Sequence, residues 1–478
     1  MGPMLDLIPF YDEVCIVEYG RQFLTGGTPD SIIQLVDGPS NQTMTYVGCC
    51  LQEILFRLFG QTGVRISPFV GLAALWFCFR TWLRKTSSLS RPAREALALV
   101  AALLPIFFQS AVLTRVDSWS VASIFAALAI LGKPDKPRQT FQLASASFFA
   151  ALSVFIWPTC AMLAPIYPAF CFDLNRKREF LLFCLFGIAS VAVLLLPALP
   201  ILVQALDFTS SYLANRTSHV FSFADIAFNL ARETARDPLT MAFAAFGFLV
   251  WIKKARYMAI LAFLSAVIAA ETSSLYTFRF VYLMPYALLM CTDAAEALER
   301  AKPRLNATCL WLLVAYGVLT GPVGHLITPH KRLPDNLKEK LAQIVGTGSK
   351  RIYAPDYAAY YIGRELGWRQ FAYHDNLANG RPAVLRNELE KADAIVLRDW
   401  DPYETIQQSC TPYGFLCHYV LNAARREKGS PNKSFAARYG EQFANPWRQP
   451  FDLSGFHEVS TLGPIKVFLR ASTAKPTP

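Results

Sequence analysis

Between residues 60 and 330 the chain reads as a series of apolar runs broken by short polar loops. The runs fall at 65–83, 94–113, 118–132, 140–157, 159–173, 180–204, 238–252, 257–272, 278–294 and 305–327. A helix crosses a bilayer with about 20 apolar residues. The pattern therefore predicts about 10 transmembrane helices, with 159–173 a short one. Ahead of them, TYVGCCLQEILFRLFG at 45–60 is apolar but carries Glu53 and Arg57. That is the pattern of an amphipathic helix lying on a membrane surface.

From residue 331 the charge density rises and no run of membrane length remains. RIYA reads as a short strand, and DYAAYYIGRELG as an amphipathic helix ending at Gly367. FAYHD reads as a second strand, RNELEKA as helical, DAIVLRDW as an apolar strand and GPIKVFLRAS as a last strand. Strands alternating with helices predict a βαβ layout. The expected fold class is a multi-span α-helical membrane protein with a C-terminal α/β domain. Residues 1–330 form the membrane domain, with outer loops at 1–64 and 205–236, and residues 331–478 form the small α/β domain. The latter has no GxGxxG or Walker loop and no HxxxH or CxxC spacing, so it carries no nucleotide or metal motif.

Charge gives the sidedness. Only 17% of residues are charged, against about 25% in soluble chains, and mean hydropathy is +0.29. The net charge of +11 is concentrated in clusters between apolar runs: RTWLRK at 80–85, KPDKPR at 133–138, NRKR at 175–178, KKAR at 253–256 and ERAKPR at 299–304. Short loops rich in Lys and Arg mark the cytoplasmic side. With all of these clusters inside, the predicted spans alternate without conflict. No nucleic-acid-binding motif accompanies the charge, which excludes that function class.

The same alternation puts the N-terminal stretch, the 205–236 loop, the turns TRVDSW at 114–119 and ETSSLYTFRF at 271–280, and the C-terminal domain outside. Polar residues gather there: Asp12 and Glu13, Arg115 and Asp117, Glu271 and Arg279. One such charge is ordinarily a solvated loop end. Several at span edges on one face point to a cavity or a partner. Carboxylates serve as general bases toward hydroxyls, and arginine forks suit phosphate oxygens. Together they predict transfer from a lipid-phosphate donor. A carboxylate takes the acceptor proton while the leaving phosphate gathers charge beside arginine. Most of the 11 cysteines lie in or near spans, where a free thiol acts as a small apolar group. Cys410 and Cys417 flank a Pro-Tyr-Gly turn in the exported domain and are a candidate disulfide.

FYDEVCIVEYGRQFL resembles the first exported loop of the GT-C glycosyltransferases, where an Asp-Glu motif precedes an amphipathic helix. LTRVDSWSVASIFAALAIL is similar to their second acidic motif, and YTFRFVYLMPYALLM to their late Arg-aromatic span. In layout the chain is most similar to the lipid A aminoarabinose transferases and to bacterial protein O-mannosyltransferase-like enzymes. The resemblance covers residues 1–330 in order and spacing, and the tail in layout. It implies a polyprenyl-phosphate sugar donor and inverting transfer to a lipid, polysaccharide or protein acceptor. It also implies a bacterial inner-membrane location with the active site facing the periplasm. Asp12 then matches the base, with Glu13 beside it and Asp117 as the second acidic catalytic position. Arg115 and Arg279 match donor-phosphate contacts. Metal use differs among such enzymes, so no metal or other cofactor is assigned. The family places a membrane helix directly before the Asp-Glu motif. Only MGPMLDLIP stands there, too short to span, and a start upstream of Met1 is the expectation.

Two other function classes share these features. A transporter of lipid-linked sugars needs many spans and cavity charges, yet no inverted repeat is evident. A non-catalytic envelope-assembly scaffold would use the same polar residues structurally.

Overall fold

The computed structural model describes residues 11–25, 45–133, 137–173, 176–203, 230–231, 234–272, 277–327, 333–354, 359–371, 389–398, 415–434, 436–437, 453 and 455–471. The nine residues before the Asp-Glu stretch, and with them the expectation of a missing first span, lie outside this set. So does most of the 205–236 loop.

The opening helix α1 (Tyr11–Leu24) packs on α2 (Val47–Thr86). The sequence pattern separates a surface helix at 45–60 from the first span, whereas the structure joins them. Their boundary survives as a kink at Gly60, with φ 62° and ψ −157°, a conformation that glycine adopts because it lacks a Cβ. The 45–60 stretch is thus an extension of the long helix, held against α1. A Cβ on Gly20 of α1 would lie 2.1 Å from the Cys49 carbonyl oxygen, so the two backbones touch there.

The next run is bent by 42° between α3 (Arg91–Leu103) and α4 (Pro105–Val112). Pro105 lacks an amide proton and forces Leu104 out of helical geometry, to ψ 125°. Helices α5 (Asp117–Leu131) and α6 (Thr140–Ile156) follow. The predicted short span at 159–173 is not one helix. It is a 3-10 turn at Pro158–Leu163 followed by α7 (Ile166–Phe170), because Pro158, Pro165 and Pro168 interrupt the ladder. Helix α8 (Lys177–Leu195) continues through a 3-10 turn to Ile201. Only 6% of its most apolar window is buried, so it presents apolar surface nearly all round.

Helices α9 (Pro238–Lys253) and α10 (Tyr257–Thr272) lead to a 3-10 turn at Thr277–Tyr282 and α11 (Met284–Ala301). Helix α12 (Pro303–Val318) runs through a π turn into α13 (Gly324–Ile327). By length and composition, 3 helices among the described residues can cross a membrane, and the bent α3–α4 pair makes a fourth. This is fewer than the sequence pattern predicts. Helices α5, α6, α9 and α10 are apolar but 15–17 residues long. At about 1.5 Å per residue they reach roughly 22–26 Å, short of a hydrocarbon core of about 30 Å.

Side-chain bonds show which ends lie together. Lys85 donates to the Ala129 carbonyl, and Arg138 reaches the Leu131 carbonyl and Glu179. The Ser88 and Ser90 amides donate to Glu296 and Glu299. One turn before Glu296, Asp293 accepts from Trp251, Lys254 and Arg256. All of the basic clusters therefore gather at one end of the bundle, and Asp117, at the start of α5, is at the other.

The α/β domain opens with α14 (Leu337–Val345), then β1 (Arg351–Tyr353), α15 (Tyr360–Glu365), β2 (Arg369–Phe371) and β3 (Ala394–Arg398). Helix α16 (Phe415–Arg426) and the hairpin β4 (Phe456–Leu462) and β5 (Ile465–Arg470) complete it. The sheet order is β2-β1-β3-β5-β4. Strand β1 is parallel to β2 and β3, and β5 is antiparallel to β3 and β4. Strand β4 escapes a reading of the sequence because FHEVSTL is a mostly exposed edge without apolar alternation.

Replacing Gly20 by valine is expected to lower the thermal unfolding midpoint of the detergent-solubilised protein, at a cost of about 1–3 kcal/mol from overpacking. Gly187→Val, where no atom lies within 4 Å of the added Cβ, should leave the midpoint unchanged.

Candidate functional site

Helix α4 ends in a tight reversal. The Leu113, Thr114 and Arg115 amides donate to the carbonyls of Gln109, Ala111 and Ser110, and Thr114 takes φ 60°. Left-handed geometry is costly for a β-branched residue. Here it turns Arg115 back over Ser110 and presents Asp117 at the first position of α5.

Asp117 is completely buried. Its Oδ2 accepts from Arg115 Nε at 2.7 Å and from Ser110 Oγ at 2.6 Å. Its Oδ1 accepts from the Tyr282 hydroxyl and, more weakly, from Arg115 Nη2 at 3.4 Å. The Arg115 guanidinium also lies 5.3 Å from the centre of the Trp157 ring. Full burial of a carboxylate is tolerable because cation and hydroxyl donors converge on it.

A second polar row lies where α1, α2 and α15 meet. Glu13 accepts from Arg65 Nε at 3.0 Å, and both side chains are buried. The Gln61 amide, with its oxygen turned toward Arg65, accepts from Nη2 at 2.8 Å. Glu18 accepts from Arg21, from Gln22 at 3.2 Å and from the Tyr360 hydroxyl at 2.8 Å. Glu53 accepts from Arg57 at 2.8 Å and from both terminal nitrogens of Arg364, at 2.7 and 3.0 Å. Arg364 lies over the Phe56 ring at 4.2 Å, and Phe56 stacks on Tyr361. Burial and the Glu18 carboxylate push the Tyr360 phenol well above its ordinary pKa. Burial and Glu13 do the same to Tyr361. Burial pulls Arg364 down, but Tyr360, Glu53 and Glu18 more than offset it. The row therefore keeps neutral phenols and a charged guanidinium.

A small apolar cluster of Ile16, Cys49, Val116 and Ile156 joins the two polar groups, with Trp157 at its edge. The three stretches singled out in the sequence thus meet at one end of the bundle: α1, the Arg115–Asp117 turn and the 277–282 turn.

The predicted residues fare differently within this frame. Asp12 lies in the first turn of α1 and Arg279 in the Thr277–Tyr282 turn, but both side chains fall outside the described set. Glu13 is engaged by Arg65. Arg115 and Asp117, assigned separate roles from sequence, form one ion pair. Cys410 and the Cys417 side chain lie outside the described residues. Among the described residues, no three His, Cys, Asp or Glu side chains converge as a metal-binding group. Sequence reasoning missed Arg65, Ser110, Tyr282, Tyr360 and Arg364. An arginine at the head of an apolar run was the available signal for Arg65. A tyrosine one turn before an arginine, within DYAAYYIGRELG, was the signal for the last two.

No family model and no curated protein matches the chain. Solved structures do. Against ArnT from Cupriavidus metallidurans bound to undecaprenyl phosphate, the TM-score is 0.57 at 11% identity, over 99% of this chain and 96% of that one. Against apo ArnT the TM-score is 0.55 at the same identity and coverage. The chain has the fold of ArnT. At this identity the likeness speaks for the fold, and it runs through both the helical bundle and the α/β domain.

Arg65→Met strands the Glu13 carboxylate in a buried site and is expected to cost about 3–5 kcal/mol. The double variant Arg65→Met, Glu13→Gln should recover most of the lost thermal midpoint. A single variant as stable as wild type would contradict the pairing.

Proposed function

We propose that the protein is an integral-membrane glycosyltransferase of the GT-C type. In this reading it moves a sugar from a polyprenyl-phosphate donor to an acceptor hydroxyl, with inversion, on the extracytoplasmic face. The observation that carries the reading is the fold match over nearly the whole of both chains to ArnT, solved bound to undecaprenyl phosphate, beside the resemblance of three sequence stretches to the GT-C glycosyltransferases. The meeting of α1, the Arg115–Asp117 turn and the 277–282 turn at one end supports it. Residues 1–330 are the catalytic membrane domain and 331–478 the exported domain. The basic clusters face the cytoplasm by the positive-inside rule.

The reaction forms a bond from the acceptor oxygen to the anomeric carbon and breaks the bond from that carbon to the phosphate oxygen. The acceptor proton goes to a carboxylate, and the electron pair leaves with the lipid phosphate. Of the three carboxylates in the predicted set, two already have partners. Arg65 holds Glu13, and Arg115, Ser110 and Tyr282 hold Asp117. Asp12 takes the proton, the role that the resemblance of its motif to the GT-C enzymes gives it, and Asp117 orients Arg115 and Tyr282 around the leaving group. Arg115 and Arg279 stabilise the charge that develops on the phosphate, the electrostatic contribution that most often dominates such steps. Donor sugar and acceptor would be selected by the outer loops and the exported domain.

Membranes carrying the full chain and a sugar-labelled polyprenyl-phosphate lipid test the reading. Asp12→Asn and Asp117→Asn should each lower transfer by about 100-fold or more. Full transfer by both variants contradicts the assigned site. Movement of the labelled lipid across the bilayer by wild type, without any transfer, would favour a transporter instead.

A further inference from the structure

We propose that one helical turn of the exported domain, α15, is a positioning element of the catalytic centre that sets helix α1, and with it Asp12, over the reaction site. This inference rests on the glycosyltransferase reading above.

Three buried carboxylates line the α1–α2 face: Glu13, Glu18 and Glu53, each at most 2% exposed. Two of them meet a residue of α15. Tyr360 donates to Glu18, and Arg364 forks onto Glu53. The third, Glu13, is held by Arg65 of α2. Local partners alone do not explain this arrangement. Arg57, the neighbour of Glu53 on its own helix, is 48% exposed, whereas Arg364 is 13% exposed. The desolvated partner of Glu53 is therefore supplied by the other domain.

Simple docking of two domains needs no buried charges. Apolar side chains of similar volume would hold the seam at least as firmly. What a two-pronged guanidinium and a directed phenol add is a single orientation, because their donors are fixed in direction as well as distance. The turn is itself tied down. The Gln370 amide on β2 donates to the Tyr360 carbonyl at 2.7 Å, and Trp368 donates to the Gly346 carbonyl at 2.7 Å. Glu18 stands six residues beyond Asp12 on α1, about 9 Å along the helix at about 1.5 Å per residue. A tilt of α1 released at Glu18, or a shift of the 47–60 part of α2 released at Glu53, therefore moves Asp12 relative to Asp117. Neither Tyr360 nor Arg364 touches the reacting atoms in this scheme. Tyr360 acts through α1, and Arg364 through the 47–60 part of α2 on which α1 packs.

The test measures initial rates of sugar transfer by the full chain in membranes, against varied sugar-labelled polyprenyl phosphate and normalised to folded protein. Arg364→Gln should lower kcat by about tenfold or more while KM for the donor stays within about twofold, the pattern of a displaced catalytic group rather than lost binding. Arg364→Lys, which keeps the charge but not the fork, should recover part of that loss. Tyr360→Phe keeps the packed ring and should lower kcat in the same direction, so the inference stands on a variant that does not threaten folding. Glu339→Gln on α14 serves as the control, since Glu339 is exposed and lies outside α15; its kinetics should equal wild type. Unchanged kcat in both Arg364→Gln and Tyr360→Phe overturns the positioning role and leaves the glycosyltransferase reading intact. A rise in KM with kcat untouched overturns it as well. Wild-type protein that transfers no sugar overturns the glycosyltransferase reading, and the positioning role with it.

Discussion

A carboxylate placed among apolar helices must be met by a cation or by hydrogen-bond donors, because an isolated buried charge costs far more than packing returns. Asp117 is met from three directions: by Arg115 two residues earlier, by Ser110 on the preceding helix and by Tyr282 from a turn far along the chain. These bonds close the end of the bundle opposite the basic clusters. They fix the reversal at Thr114, aim α5 inward and hold the 277–282 turn against it. Through Val116 the same point packs on Ile16 of α1 and Cys49 of α2, so the position of the Asp12–Glu13 stretch is set from here as well.

The two ends of the bundle use charge differently. At one end, lysines and arginines pair with carbonyls, glutamates and Asp293, and the cations that meet the buried Asp293 are themselves 33% and 39% exposed. At the other end the carboxylates are buried and saturated. Such sites are costly to build, and in membrane chains polar groups of this kind usually mark a pathway or a reaction. The α/β domain adds its own donors to this end through Tyr360 and Arg364, which makes the seam between the two parts polar and directional.

Much of the layout was legible in the sequence. Apolar runs foretold the helices, and clustered lysines and arginines foretold that the loops bearing them would gather together. Most strands of the tail showed in RIYA, DAIVLRDW and GPIKVFLRAS. The misses have physical causes. Gly60 kinks a helix without ending it, so two predicted elements are one. Prolines broke the run at 159–173, which hydropathy alone counts as a span. The candidate site was legible in its stretches but not in its bonds. Arg115 and Asp117 looked like separate groups, and nothing local announces that Tyr282 or Arg364 would close on partners 165 and 311 residues away.

The central claim is that a polyprenyl phosphate binds where the Arg115–Asp117 and 277–282 turns meet. A cryo-EM structure of the full chain with added undecaprenyl phosphate tests it most directly. The claim predicts phosphate density within hydrogen-bond reach of Arg115 or Arg279, beside Tyr282. Phosphate bound at the end of the basic clusters, with the Asp117 group far from any lipid, would contradict it.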